Sequence, residues 1–261
     1  MARNTSAPAD SSAAGQARAK AQAQLRAQER KTRVAIWASV IIGIGLAGGL
    51  AAFIMSQSQA SGNAVPAGAT EAGGFPVGTT AVVGQDLPDG VPVVRIYMDF
   101  LCGVCAQFEA RVGGDLDALR EAGTIRLEYH PVSILDRYSP TQYSSRSANA
   151  AATVADGSPE HFLAYSHLLF ENQPGEGIPQ HTNAQLAAFA VQVGVPQEVA
   201  DTIAAGTFRG WVASASQQSS IDGVQGTPSV MVNREILDPR QIPYFDPGVL
   251  RTLLESLASQ G

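Results

Sequence analysis

Cysteine is nearly absent from this chain: 2 of 261 residues. That excludes a scaffold of several disulfides, and a Cys₄ metal site within one chain. Tracts rich in Met or His are missing too, which counts against a metal carrier. Position 106 is Ala, so the Cys-x-x-Cys-His attachment of a c-type haem is excluded. Positive charge is scarce outside the N-terminus. Residues 1–33 hold seven basic side chains (Arg3, Arg18, Lys20, Arg26, Arg30, Lys31, Arg33) against Asp10 and Glu29, a surplus of +5. The whole chain carries −6, so the remainder carries −11. Such an acidic body lacks the basic face that nucleic-acid binding requires. Lysine is rarer still, 2 against 15 Arg; with many Ala and Gly, this is the composition of a high-GC bacterium.

Charge is wholly absent from Val34 to Met55, a run of 22 residues. As a helix rising about 1.5 Å per residue it reaches about 33 Å, enough for a hydrocarbon core of about 30 Å. Arg30-Lys31-Thr32-Arg33 precedes it, and the uncharged Ser56-Gln57-Ser58-Gln59 follows. The positive-inside rule then places the N-terminus in the cytoplasm and residues after 55 outside. A cleaved signal peptide is the rival reading, with Ser58-Gln59-Ala60 as a small-x-small site, but its apolar region would normally be shorter. Either way the body is extracytoplasmic, where a Cys pair can be oxidised. Gly43-x-Gly45-x-x-Gly48 has the letters of a dinucleotide fingerprint without its strand, and is discarded. Gly45-x-x-x-Gly49 offers a face for weak pairing of two anchor helices.

The domain plan follows. Residues 1–33 form a basic cytoplasmic tail without an apolar stripe, 34–55 a transmembrane anchor, and 56–79 a Gly/Pro-rich flexible tether. A folded domain is expected over 80–261. Ala81-Val82-Val83 is a short strand candidate, and Val91 to Phe100 is apolar enough for a central strand. Cys102 to about Arg120 reads as helix, weakened or kinked at Gly113-Gly114. Thr124 to His130 returns as strand, with Ile125, Leu127 and Tyr129 alternating. Helices are expected at 144–154, at 161–170 behind a Ser158-Pro159 start, at 182–193, at 196–205 and at 208–220. Ser229 to Val232 is a strand, and Pro247 to Ser259 a closing helix. Strands alternating with helices imply an α/β fold, here with a helical insertion over about 139–220.

Both cysteines sit in one motif, Cys102-Gly103-Val104-Cys105, directly after the central strand and at the start of a helix. Residues i and i+3 on a first turn are about 5–6 Å apart, within disulfide reach. Free N–H groups and the macrodipole favour an anion there, so Cys102 is expected to ionise readily. The thiolate is the attacking species in disulfide exchange. Cys105, one turn deeper, is the resolving candidate. A structural disulfide would more often close a longer loop. A metal site would need further ligands, from His161 and His167 or from a second chain. The four histidines (His130, His161, His167, His181) show no catalytic spacing and read as structural or exposed; Phe208, Trp211 and Met98 read as packing residues.

Asp99-Phe100-Leu101-Cys102-Gly103-Val104-Cys105-Ala106-Gln107-Phe108-Glu109 resembles the active-site segment of the DsbA-like thioredoxin-fold oxidoreductases. Gly223-Val224-Gln225-Gly226-Thr227-Pro228 resembles the family's stretch before a strand, and His161 to Pro174 is similar to one of its inserted helices. The resemblance implies a thioredoxin fold with a helical insertion. It also implies a cis-proline loop at Thr227-Pro228, facing the cysteines and offering backbone groups to an extended substrate. Two departures stand out. Gly103-Val104 replaces the Pro-His of the best-known members, so no side chain between the cysteines stabilises the thiolate. Ile96 stands where many members carry an acid beneath the site, which leaves the proton acceptor for Cys105 open.

The expected function is a membrane-anchored, extracytoplasmic thiol–disulfide oxidoreductase without cofactor or resident metal. It would form disulfides in reduced exported proteins through Cys102 and Cys105 and be reoxidised by a membrane redox partner. A reductase or isomerase would use the same residues. Thioredoxin and DsbA differ by about 150 mV, equivalent to about 7 kcal/mol, which a few hydrogen bonds to one sulfur can largely supply. A redox-inert peptide-binding module using the Thr227-Pro228 groove, and a thiolate carrier of Cu(I) or Zn²⁺, are the readings from other classes.

Overall fold

The computed structural model describes residues 64–174 and 179–260. The basic tail, the apolar span and the Gly45-x-x-x-Gly49 motif lie outside the described residues. Among the described residues no helix is long and apolar enough to cross a membrane.

A five-stranded mixed sheet organises the domain, in the order β1-β3-β2-β4-β5. β2 (Val93–Met98) lies at its centre, parallel to β3 (Arg126–Pro131) and antiparallel to β4 (Ser229–Val232). The parallel β2–β3 pair requires a crossover, and the helix that opens at the cysteines provides it. β5 (Glu235–Ile236) pairs antiparallel with β4. Val94, Ile96 and Met98 of β2 enter the main core, whereas Tyr97 joins a smaller cluster with Val132, Val224 and Met231 on the opposite face. Both faces of the central strand are therefore covered, which is why Val91 to Phe100 is too apolar for an edge.

The N-terminal boundary differs from expectation. β1 (Phe75–Val77) lies inside the segment read as a tether, and pairs antiparallel with β3. Phe75 is fully buried, with its ring 4.9 Å from Phe162 and 5.0 Å from Trp211. Ala81-Val82-Val83 forms no strand: Ala81 has φ of +65° and Val83 makes one isolated bridge to Val77. The guanidinium of buried Arg120 donates to the carbonyls of Gly78 (2.7 Å) and Thr79 (3.0 Å), fastening this stretch to the crossover helix. The fold thus begins before Thr80.

The crossover helix contains α1 (Gly103–Phe108), a π-helical segment (Glu109–Gly113) and α2 (Gly114–Glu121). Where the glycine pair predicted weakening or a kink, the helix widens. A Cβ on Gly113 would lie 2.5 Å from Glu109 Oε1, so the missing side chain makes room for that carboxylate.

The insertion is helical, as expected. A 3₁₀ turn (Ile134–Tyr138) leads to α3 (Tyr143–Gly157), whose Ala148, Ala150, Ala151 and Ala152 are all fully buried. Small side chains let neighbouring helices approach from several sides. α4 (Phe162–Glu171) follows a 3₁₀ turn (Pro159–His161). Ser158 precedes that turn, but its hydroxyl pairs with His161 Nδ1 (2.7 Å) instead of a backbone N–H. α5 (Asn183–Gln192) opens with a capping box between Thr182 and Gln185. α6 (Gln197–Ala200) runs into a 3₁₀ turn (Asp201–Ala205), and α7 (Arg209–Ile221) closes the insertion. α8 (Val249–Ala258) buries Leu250 and Leu254.

Candidate active site

β2 ends at Met98 and the chain turns through Asp99, Phe100 and Leu101 into α1. The Asp99 carbonyl accepts the Cys102 N–H at 2.9 Å. Cys102 caps the helix with extended backbone, and its carbonyl accepts the first helical bonds from Cys105 N (3.0 Å) and Ala106 N (3.2 Å). Both cysteines are free thiols. Cys102 retains 8% exposure and Cys105 none.

The environment makes the two thiols unequal. A hydrogen bond from the Cys105 thiol brings Cys102 down to about 6, against the opposing effect of burial. The Thr227 side chain and the N–H groups of Cys105 and Val104 act in the same direction. Burial pushes Cys105 well above the ordinary thiol range, and its bond to Cys102 adds to this. The helix start thus stabilises one anion, as the sequence predicts, and the second sulfur is its nearest donor.

Thr227-Pro228 is cis and faces the pair: the Cys102 thiol donates to the Thr227 carbonyl at 3.3 Å. The contact joins residues 125 apart in the chain. All six residues singled out from the sequence (Cys102, Gly103, Val104, Cys105, Thr227 and Pro228) therefore belong to one region. Val104 is 49% exposed beside the cysteines, an apolar contact facing solvent. A groove of about 530 Å³ begins at Gly226-Thr227-Pro228 and continues along Leu237, Arg240 and Tyr244.

Two supports escaped the sequence reading. Gln173, just past α4, donates its amide to the Phe100 carbonyl at 2.8 Å and lies beside Gly103. The Tyr244 hydroxyl donates to the Pro228 carbonyl at 3.4 Å. Neither spacing carries a signal. Asp99 closes the turn itself, one side-chain oxygen accepting Leu101 N at 2.9 Å. Its second oxygen accepts Leu135 N, also at 2.9 Å. Ile96 is fully buried in β2, opposite Tyr129 and Val230, so the floor of the site is apolar. Among the described residues, no group of three or more His, Cys, Asp or Glu is arranged to hold a metal ion.

Residues 77–245 match the family described as Thioredoxin. The fold is similar to that of MdbA, a thiol-disulfide oxidoreductase from Actinomyces oris. The identity is 25%, the TM-score 0.60, and the alignment covers 76% of this chain and 98% of that one. Oxidised DsbA from Mycobacterium tuberculosis is 30% identical with a TM-score of 0.55, over 72% of this chain and 98% of that one. BdbD from Bacillus subtilis shares the fold at 20% identity and a TM-score of 0.58, over 75% of this chain and 98% of that one. No curated protein matches the chain. With a mixed thioredoxin-like sheet, a Cys-x-x-Cys at the helix start and a cis-proline loop against it, the chain belongs to the DsbA-like thiol–disulfide oxidoreductases of the thioredoxin family.

Proposed function

We propose that the protein is anchored in the cell membrane through residues 34–55 and forms disulfides in reduced exported proteins outside the cytoplasm. Cys102 is the exchanging sulfur and Cys105 the resolving one. The observation that carries this reading is the inequality of the pair: an acidic, slightly exposed Cys102 beside the Thr227-Pro228 groove, and a fully buried Cys105 with a raised pKa. A substrate thiolate attacks Cys102 of the closed disulfide, a mixed disulfide forms, and Cys105 leaves and takes up a proton. A second substrate thiolate then attacks the substrate sulfur and expels Cys102 as its thiolate. The substrate dithiol loses two electrons and becomes a disulfide; the Cys102–Cys105 disulfide gains them and becomes a dithiol. A membrane redox partner removes those electrons in the resetting step.

A good leaving thiol makes the second attack fast and stabilises the reduced enzyme, the property of an oxidant. Extended substrate would lie along the Thr227-Pro228 loop, with Val104 and the groove wall at Tyr244 as its contacts. A reductase or isomerase remains the second reading, favoured by the absence of a donor side chain between the cysteines.

The reduction potential in glutathione buffers separates them. A value near −120 mV supports a disulfide donor, and one near −270 mV supports a reductase. Failure of the pair to equilibrate at all leaves the peptide-binding module. Cys102→Ser should abolish exchange with a dithiol substrate, and full retained activity would refute the assignment.

A further inference from the structure

Asp99 is a buried carboxylate at the redox pair that the exchange steps above leave without a role. Its side chain has no exposed surface. Both oxygens are held, one by Leu101 N in the cysteine loop and one by Leu135 N in the Ile134–Tyr138 turn, each at 2.9 Å. The Ser144 hydroxyl at the start of α3 favours its charged form as well. Its main chain bears on both cysteines: the carbonyl accepts Cys102 N–H at 2.9 Å, and the backbone N–H acts to lower Cys105 against its burial.

We propose that Asp99 is a positioning residue that fixes the cysteine loop and whose negative charge holds back formation of the Cys102 thiolate, making the pair a weaker oxidant than its helix terminus alone would produce. The inference rests on the exchange role proposed for Cys102. Two anions in one buried site repel, so ionisation of either opposes ionisation of the other. Expelling Cys102 as a thiolate therefore shifts Asp99 toward its protonated form, with the proton taken from solvent. The site then gains less than one full charge. With Ile96 apolar, this carboxylate is well placed to tune the pair from a position three residues before Cys102.

The other groups around Asp99 do not replace it. From α3 it faces Tyr143, whose phenol burial keeps neutral, and the Ser144 hydroxyl. In the 3₁₀ turn, Asp136 is engaged by Ser145 and Arg137 stacks over Tyr138. Burial raises Asp99 to about 6, with the Cys102 charge contributing, so the two groups titrate in the same range.

Coupling of this kind is reciprocal, which gives a test on the unmodified full chain. The Asp99 carboxyl is titrated by carbon-13 NMR in the reduced protein and in protein closed to the disulfide with diamide. The expected result is a lower Asp99 midpoint in the disulfide form, which has no thiolate. Equal midpoints in the two states overturn the proposal. In parallel, the Cys102 thiolate is titrated by its ultraviolet absorbance in Asp99→Asn. The thiolate-to-thiol ratio should rise roughly threefold to tenfold at a given pH below the midpoint, and the potential should move about 15–30 mV in the oxidising direction. A variant that loses stability with its thiolate midpoint unchanged marks Asp99 as structural only and overturns the proposal. Diamide closure and the thiolate titration do not require exchange with glutathione. A pair that fails in glutathione buffers refutes the exchange reading, while unequal Asp99 midpoints would still establish the coupling.

Discussion

One sulfur in this molecule is acidic and its neighbour is not, and that difference sets the reactivity at neutral pH. With Cys102 at about 6, alkylation of the reduced protein should show a midpoint near that pH, and Cys105 should stay unmodified until the protein is denatured. Mass spectrometry after brief iodoacetamide pulses across pH 4–9 checks both statements. Thr227→Val removes the hydroxyl that helps the thiolate while keeping the branched shape. The alkylation midpoint should rise by about one pH unit, the worth of one charge-assisted hydrogen bond. At this scale much was legible. Cys-x-x-Cys after an apolar strand declares an anion site, because a helix start follows from the strand's end. Gln173 and Tyr244 were not legible, since their bonds to Phe100 and Pro228 exist only once distant segments meet.

Arg120 is the element-scale counterpart of those supports. It is 2% exposed, pairs with Asp117 at 3.3 Å, and holds the carbonyls that follow β1. Arg120→Met should cost about 3–5 kcal/mol by leaving two carbonyls without donors and Asp117 with only the more distant His167 at 3.9 Å, measurable by urea unfolding. Gly113→Ala tests the π-helical segment. The new Cβ would displace Glu109 from His167, whose Nε2 lies 2.9 Å away, and overpacking of this kind costs about 1–3 kcal/mol. Burial alone would lower His167, but the close Glu109 carboxylate raises it. The variant should therefore also lower the His167 midpoint seen by NMR. Strands and helices with a strong local pattern were readable: Ser229 to Val232 matches β4, and the Thr182 start matches the capped end of α5. β1 was not, because Gly-Gly-Phe-Pro-Val-Gly has tether composition. Phe75 becomes core only when Phe162 and Trp211 arrive from far along the chain. The glycine pair marked an irregularity, weakening or a kink, but not its π-helical form, because two glycines look alike whether they bend a helix or clear space for a neighbour.

For the whole molecule, the thiols link redox state to stability. Cys102 is depressed from 9.0 to about 6, so its stabilisation of the reduced fold is complete above its unfolded value and is lost as pH falls through about 6. Cys105 is raised, so it opposes stability as pH climbs past the ordinary thiol range. The unfolding free energy of the reduced form, relative to the oxidised form, should therefore rise from pH 5 to 8 and fall again above about 9. Paired denaturant titrations would show it, and a flat difference would contradict the assigned acidities. The proposed anchor has its own check: full-length chain should stay with membranes through alkaline carbonate washing, and a protease added outside should reach residues 80–261. Release by the wash would favour cleavage after the apolar span.

The sheet ends in two very short edges, three residues at β1 and two at β5. An unfolded client that docks here finds no long row of free N–H and C=O groups on which to zip up. Its hold would be confined to the few residues that reach the loop above the sulfur. On the proposed role, such brevity of contact would favour fast turnover over tight capture, and would let one groove serve clients that share a pair of thiols and little else. The same shortness guards the protein against edge-to-edge pairing with other chains.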